Sequence, residues 1–383
     1  MHFLTRLAAR AGAACAAALL WCSPAFSAPP ASITVTDLAG RTVTVPAQVD
    51  RILLGEGRLL PALAILEQAE LPRRLVGMMG DFESLDAPGY RQWSQRFPQL
   101  DKVARVGRNN SGSFSDEQAI ALRPQVAILG LGSGHGPSQS HRETLARLEA
   151  AGIAVVFIDF RHDPLRNTPR SLELLGQVLG KRKEAEAFVT TWKAELERVQ
   201  SRLRTLPVGT AAPTVFLENR VGLADECCAT MVGLVGMLLD AAGGKNVAKG
   251  LIPGEHGTLN PELLLAQQPR IYIGTGIGNM GDAQKGALRI ALGADATPEA
   301  ARQSLARANQ RRGINALQAV QQGRAYAIWH HYYNSPFNVV AVQVMAKWFY
   351  PELFADLDPQ ATLKALYARH QPIPLQGVYW TGL

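Results

Sequence analysis

Between Ile33 and Pro46 apolar and polar positions alternate, with Ile33, Val35, Val43 and Val45 set against Thr34, Thr36, Thr42 and Thr44 around the turn Leu38-Ala39-Gly40. That period of two predicts a β-hairpin. Mostly apolar runs follow at 51–54, 75–78, 126–129 and 154–159, and again at 214–217, 270–273 and 325–328. Runs of this length read as buried strands with helical stretches between them, so the chain is α/β. From Thr168 to Leu203 the strand pattern stops. Leu175, Val178 and Leu179 form one apolar face before Gly180, and Phe188, Trp192, Leu196, Val199 and Leu203 then recur every three or four residues. A helix of about 22 residues at 1.5 Å each spans roughly 33 Å, the width of a small domain. These patterns predict two Rossmann-like lobes, 28–165 and 207–383, joined by one long helix within 166–206, with a ligand cleft between the lobes.

A repeated pattern supports two similar halves. Ser115-Asp116-Glu117-Gln118 leads to Pro124 and the strand at Val126, and Asn260-Pro261-Glu262-Leu263 leads to Pro269 and the strand at Ile271. In each copy a capping residue comes first, a glutamate sits second in the helix, and proline closes the helix before a buried strand. Each strand ends near glycines, and open α/β sheets bind ligands at the carboxyl ends of their strands.

Arg6 and Arg10 ahead of the apolar run 11–22 and the small residues 23–28 read as a secretory signal peptide, cleaved after Ser27. The apolar run is shorter than the roughly 20 residues of a membrane span. The expected product is a soluble periplasmic protein. Losing Arg6 and Arg10 lowers the formal charge from +7 to +5. The excess is thinly spread: Arg73-Arg74 and Lys181-Arg182-Lys183 are not interleaved with aromatic residues, which argues against nucleic-acid binding. Cys227 and Cys228 remain after processing, placed near the start of a helix with the stripe Met231, Leu234, Val235, Leu238 and Leu239. Two readings stay open for them: a pair of small apolar residues, or a vicinal disulfide forming an apolar plate at the ligand site.

The hairpin 34–46 followed by Arg51-Ile52-Leu53, the run Glu117-Gln118-Ala119-Ile120-Ala121-Leu122-Arg123-Pro124 with its strand, the linking helix, and Gly323-Arg324-Ala325-Tyr326-Ala327-Ile328 together carry a resemblance. The chain resembles periplasmic substrate-binding proteins of ABC importers, in the helical-backbone class that delivers iron-siderophore complexes, haem and cobalamin. The resemblance covers nearly the whole mature chain. It implies a binding protein without cofactor and not an enzyme, a monomer that captures a ferric siderophore and passes it to a permease dimer in the inner membrane. It also implies that Glu117 and Glu262 dock to arginines of that permease. A carboxylate in a first helical turn also suits the helix dipole, but two such residues at equivalent places fit a receptor of two-fold symmetry.

The cleft candidates are the loops after each strand: Glu56, Arg58, Asp81, Arg108, Asn109, Asn110, His135, Arg161 and His162 in the first half, and Glu218, Arg220, Glu226, Glu255, His256, Trp329, His330, His331, Tyr332 and Tyr333 in the second. Arg58, Arg108, Arg161 and Arg220 converging on one cleft predict an anionic cargo. The run Trp329 to Tyr333, with Ser335 as cap and Pro336 first in the next helix, predicts ligand contact. Cys227 and Cys228 are placed at the same site. His256, His330 and His331 are candidate metal ligands, although the histidines show no spaced set with carboxylates. Haem, cobalamin or a molybdate-type oxyanion are the alternative cargoes. Gly276-Ile277-Gly278-Asn279-Met280-Gly281 fits a dinucleotide fingerprint, which raises an exported enzyme as the rival class. It stands late in the chain and reads better as a cleft loop.

Overall fold

The computed structural model of the protein describes residues 31–132, 134–223 and 227–383, and the signal peptide read at 1–27 lies outside them, as does Glu226. Strands β1 (Ser32–Thr36) and β2 (Thr42–Pro46) form the hairpin, with Ile33 opposite Val45 and Val35 opposite Val43. The Asp37 carboxylate accepts from the backbone N–H of Ala39 and Arg41, both at 3.0 Å, and Gly40 supplies the positive φ of the turn.

The first lobe is a five-stranded parallel sheet. Its strands are β3 (Ile52–Leu54), β4 (Leu75–Met78), β5 (Ala104–Arg105), β6 (Val126–Gly130) and β7 (Ala154–Ile158), in the order β5-β4-β3-β6-β7. The second sheet holds β8 (Thr214–Glu218), β9 (Ala229–Met231), β10 (Lys245–Asn246), β11 (His256–Thr258), β12 (Ile271–Gly276), β13 (Ala325–Trp329) and β14 (Trp380–Gly382). Its order is β11-β9-β8-β12-β13-β14, with β10 also on β8. The parallel set β10-β8-β12-β13 repeats β4-β3-β6-β7. The antiparallel strands β9, β11 and β14 are additions of the second half, each only three residues long.

The repeated sequence pattern is a repeated structure. Ser115 Oγ accepts from Gln118 N–H at 3.2 Å to open the helix Asp116–Ala121, and Asn260 Oδ1 accepts from Glu262 N–H at 2.7 Å to open Pro261–Gln267. Both end beside a left-handed residue directly before proline, Arg123 with φ 46° and Gln268 with φ 42°. Each then enters the strand next to the first strand of its sheet, β6 on β3 and β12 on β8. Glu117 and Glu262 are both exposed.

The link is a pair of helices, Pro164–Val178 and the 22-residue Arg182–Leu203, hinged at Gly180. It starts earlier than the apolar pattern showed, because Asp163 caps the first helix by accepting from Arg166 N–H. Phe188, Trp192 and Val199 are buried, and the long helix packs on Leu60–Glu67 of the first half and Asn338–Phe349 of the second. Trp192 Nε1–H donates to Asn338 Oδ1 at 3.1 Å, and Asn338 Nδ2 donates to Thr168 Oγ1 at 2.8 Å. One apolar core therefore runs from Leu54 and Ile128 through Trp192 to Val215 and Ile273.

The stripe from Met231 does not form one helix: 229–231 is strand β9, and the helix is the short Val235–Ala241. Cys227 and Cys228 therefore precede a strand. The helix after Tyr333 begins at Asn338, and Ser335 Oγ accepts from Phe337 N–H in the turn before it.

Candidate functional site

The loops that leave the carboxyl ends of the parallel strands in both halves face one cavity of about 320 Å³. From the first half it is lined by Arg58 after β3, the segment Ser84–Pro88 after β4, and His135 after β6. From the second come Arg220 after β8, Ile277–Asn279 after β12, and Trp329, His330, His331 and Tyr333 after β13. The dinucleotide-like loop is thus a wall of the cleft. The helix after it, Met280–Gln284, is opened by a capping box between Asn279 and Asp282 and is only five residues long.

The floor is a buried network of ion pairs. Arg58 Nε donates to Asp81 Oδ2 at 3.0 Å, its Nη2 lies 3.7 Å from Glu56 Oε2, and Arg161 donates from both terminal guanidinium nitrogens to the Glu56 carboxylate. Burial works to raise the Glu56 pKa, but Arg161 and Arg58 together hold it below the ordinary carboxylate value. At Asp81 burial outweighs Arg58 and the pKa is raised. The network crosses between the halves. Arg58 Nη1 donates to Tyr333 Oη at 2.8 Å, and Asn334 Nδ2 reaches Glu56 at 3.4 Å. His331 Nε2 lies 3.1 Å from the Leu85 carbonyl and Nδ1 lies 2.9 Å from Arg58 Nη1. A carbonyl only accepts and a guanidinium only donates, so Nε2 carries the proton and Nδ1 accepts.

The imidazoles around the cavity are neutral. Burial, then Arg58, pushes His331 well below its ordinary pKa; burial, then Arg220, does the same to His330; His135 is lowered to about 4 by burial and Arg58. His135 Nδ1 donates to the Asn109 carbonyl at 2.7 Å, which leaves Nε2 as an acceptor. Arg220 is exposed, with its backbone N–H on Thr275 Oγ1 at 2.7 Å, and its guanidinium finds no carboxylate partner among the described residues. Arg289 is held only loosely, 3.9 Å from Asp282. Among the described residues, the cavity-lining arginines without a close carboxylate are therefore Arg220 and Arg289, both on the second half.

The remaining predicted residues lie elsewhere. Arg161 is spent on Glu56 and its side chain stacks over the Tyr333 ring. Arg108 is exposed and does not line the cavity. Tyr332 is 1% exposed and packs in the shared core. Cys227 and Cys228 form a vicinal disulfide, packed in the second-half core against the loop at Gly313, and do not line the cavity. His256 is exposed on the edge strand β11. Among the described residues no group of three or more His, Cys, Asp or Glu side chains could hold a metal ion. Glu218, another cleft candidate, is buried beneath the sheet end with Arg311 on both oxygens, at 2.7 and 2.6 Å, and Tyr272 at 2.6 Å. Missed were Asp86, Arg289 and the apolar rim Leu223 and Leu292.

The family whose description is "Periplasmic binding protein" matches residues 86–328. Among solved structures, the TroA-like periplasmic binding protein FepB from Veillonella parvula shares 26% identity at a TM-score of 0.80, over 92% of this chain and 99% of that one. The molybdate-binding MolA of Haemophilus influenzae shares 18% identity at 0.65, over 90% and 99%. The periplasmic heme-binding protein RhuT from Roseiflexus sp. RS-1 shares 19% at 0.55, over 80% and 99%. No curated relative matches in sequence.

Proposed function

The chain belongs to the periplasmic binding protein family of ABC transporters, and on that premise we propose that it captures an anionic iron complex, a ferric siderophore, and delivers it to an ABC permease. The cavity carries the reading. A space of about 320 Å³ walled by Trp329, Tyr333 and neutral imidazoles, with Arg220 and Arg289 over it, suits a chelate with aromatic or carboxylate arms. A bare oxyanion such as molybdate calls for a small closed cage of donors. Here the deep arginines, Arg58 and Arg161, already hold Asp81 and Glu56.

Haem and cobalamin remain the second reading, favoured by His135 Nε2, an unprotonated acceptor on the cavity wall. Titrating the purified protein with ferric siderophores, haem, cobalamin and molybdate separates these. Saturable binding of a ferric chelate, read by quenching of Trp329, supports the proposal, and binding of molybdate alone overturns it.

The same reading gives Glu117 and Glu262 to the permease. Its support is their matched setting, each exposed, second in a capped helix, and directly before the strand that adjoins the first strand of its half. Glu117→Arg or Glu262→Arg should abolish uptake while leaving cargo affinity unchanged. An unaltered uptake rate in both variants would remove the docking role.

A further inference from the structure

Beside the main cavity is a smaller chamber of about 50 Å³ that shares Arg58, Asp86, Trp329 and His331 with it. Its walls are largely rings: Phe82 and Trp93 from the first half, and Trp329, Tyr367 and Tyr379 from the second. Trp329 and Tyr379 stand edge to face, with centroids 5.1 Å apart. Asp86 is the one carboxylate in this lining among the described residues.

The Asp86 carboxylate has more capacity than its neighbours use. Oδ1 accepts from Gly89 N–H at 3.2 Å as the cap of the helix Ala87–Arg96. Among the described residues it makes no ion pair, and no other hydrogen bond reaches the carboxylate. Gly89 keeps space around it, since a Cβ there would overlap the carboxylate. A second acid lies close by: Asp295 Oδ2 pairs with Arg91 at 3.3 Å, while Asp295 Oδ1 is buried without a partner. Arg58, the one arginine or lysine of this lining among the described residues, pairs with Asp81 at 3.0 Å and lies 3.7 Å from Glu56. Burial lifts the Asp86 pKa to about 6, against the Gly89 N–H and Arg58, and Asp295 adds to the rise.

An under-used carboxylate enclosed by aromatic faces is the chemistry that recognises an ammonium group. We propose that the chamber is a subsite for a cationic amino group carried by the cargo, with Asp86 as its counter-ion. This rests on the reading of the cleft as the cargo site and narrows it. At roughly 10–15 Å³ per small heavy-atom group, the chamber of about 50 Å³ admits three to five heavy atoms, the end of a short aminoalkyl arm. The opposite side of the cleft carries Arg220 and Arg289. The cargo is therefore amphoteric, an anionic chelate with an amino arm.

The rival explanation is that Asp86 serves only as a helix cap. Asparagine caps about as well as aspartate, so Asp86→Asn preserves that role and removes the charge. Butylammonium chloride and 1-butanol, matched in shape, are titrated into the full mature protein and into Asp86→Asn, read by tryptophan fluorescence. Butylammonium should bind about tenfold more tightly than butanol, and Asp86→Asn should erase the difference. Equal affinities, no binding of butylammonium, or a difference that survives in Asp86→Asn would each overturn the subsite. A second arm uses the ferric complex of a bis-catechol bearing a free aminoethyl group and its N-acetylated twin. A preference of about tenfold for the free amine, lost in Asp86→Asn, supports the proposal. Equal binding of the two complexes overturns the subsite and leaves the ferric reading standing. If butylammonium binds and neither complex does, the chamber stands and the ferric reading fails.

Discussion

Each half buries a glutamate at the carboxyl end of its first core strand and clamps it with an arginine: Glu56 with Arg161 after β3, and Glu218 with Arg311 at the end of β8. The difference lies in what closes the pair. In the second half Tyr272 donates to Glu218 from the neighbouring strand, and the triad is finished within its own lobe. In the first half Arg58 and Asp81 join, and the contacts run on to His331, Tyr333 and Asn334 across the seam. One scaffold device is structural in one lobe and has become the floor of the cleft in the other.

The sharpest way to break this comparison is Glu218→Gln. A buried guanidinium left without its carboxylate costs about 3–5 kcal/mol, so unfolding by urea should shift by that amount while cargo affinity of the folded protein stays unchanged. Glu56→Gln is the matched test. It should lose about 2–4 kcal/mol and also weaken cargo binding about tenfold or more, because Arg161 then loses its carboxylate and Arg58 keeps only Asp81. Equal effects of the two variants on affinity would show that the halves are not divided as described.

The pH dependence sharpens the contrast between the cleft imidazoles and Asp86. His135, His330 and His331 have folded pKa values below the ordinary 6.5, so above that pH they have no effect on stability. As pH falls below about 6.5 the unfolded chain takes up protons that the folded one does not, and each imidazole withdraws up to about 1.4 kcal/mol per pH unit, for His135 down to about 4. Asp86 acts oppositely. Its pKa is raised from 3.8 to about 6, so the folded state binds the extra proton between those values and the group withdraws stability as pH rises. Asp86→Asn should therefore stabilise the protein by about 1–3 kcal/mol at pH 8 and by nothing below pH 4, as measured by denaturation at both pH values.

Most of the scaffold was legible because burial writes itself into period. The strands at Val126, Ala154, Thr214 and Ile271 and the stripe Phe188–Leu203 are carried by repeated apolar positions. Strands β9, β11 and β14 were not legible, being three residues long and held by their partners alone. The site was legible by location more than by role. Loops after strands do meet at the cleft, which brought in Arg58, His135, Arg220 and Trp329. Which arginine remains free depends on which carboxylate it meets, and Arg161 meets Glu56 across 105 positions of chain. Asp86 was hidden behind a complete local explanation, since Asp-Ala-Pro-Gly reads as a helix start and nothing more.

The central claim is that the seam between the halves holds the cargo, with Arg220 of the second half as its cationic partner. Titration of the mature protein and Arg220→Ala with a ferric siderophore, followed by tryptophan quenching, tests it most directly. The account predicts one saturable site in the mature protein and affinity about tenfold or more weaker in Arg220→Ala, with the fold unchanged. Unaltered affinity in Arg220→Ala, or no saturable binding of any ferric chelate, would contradict it.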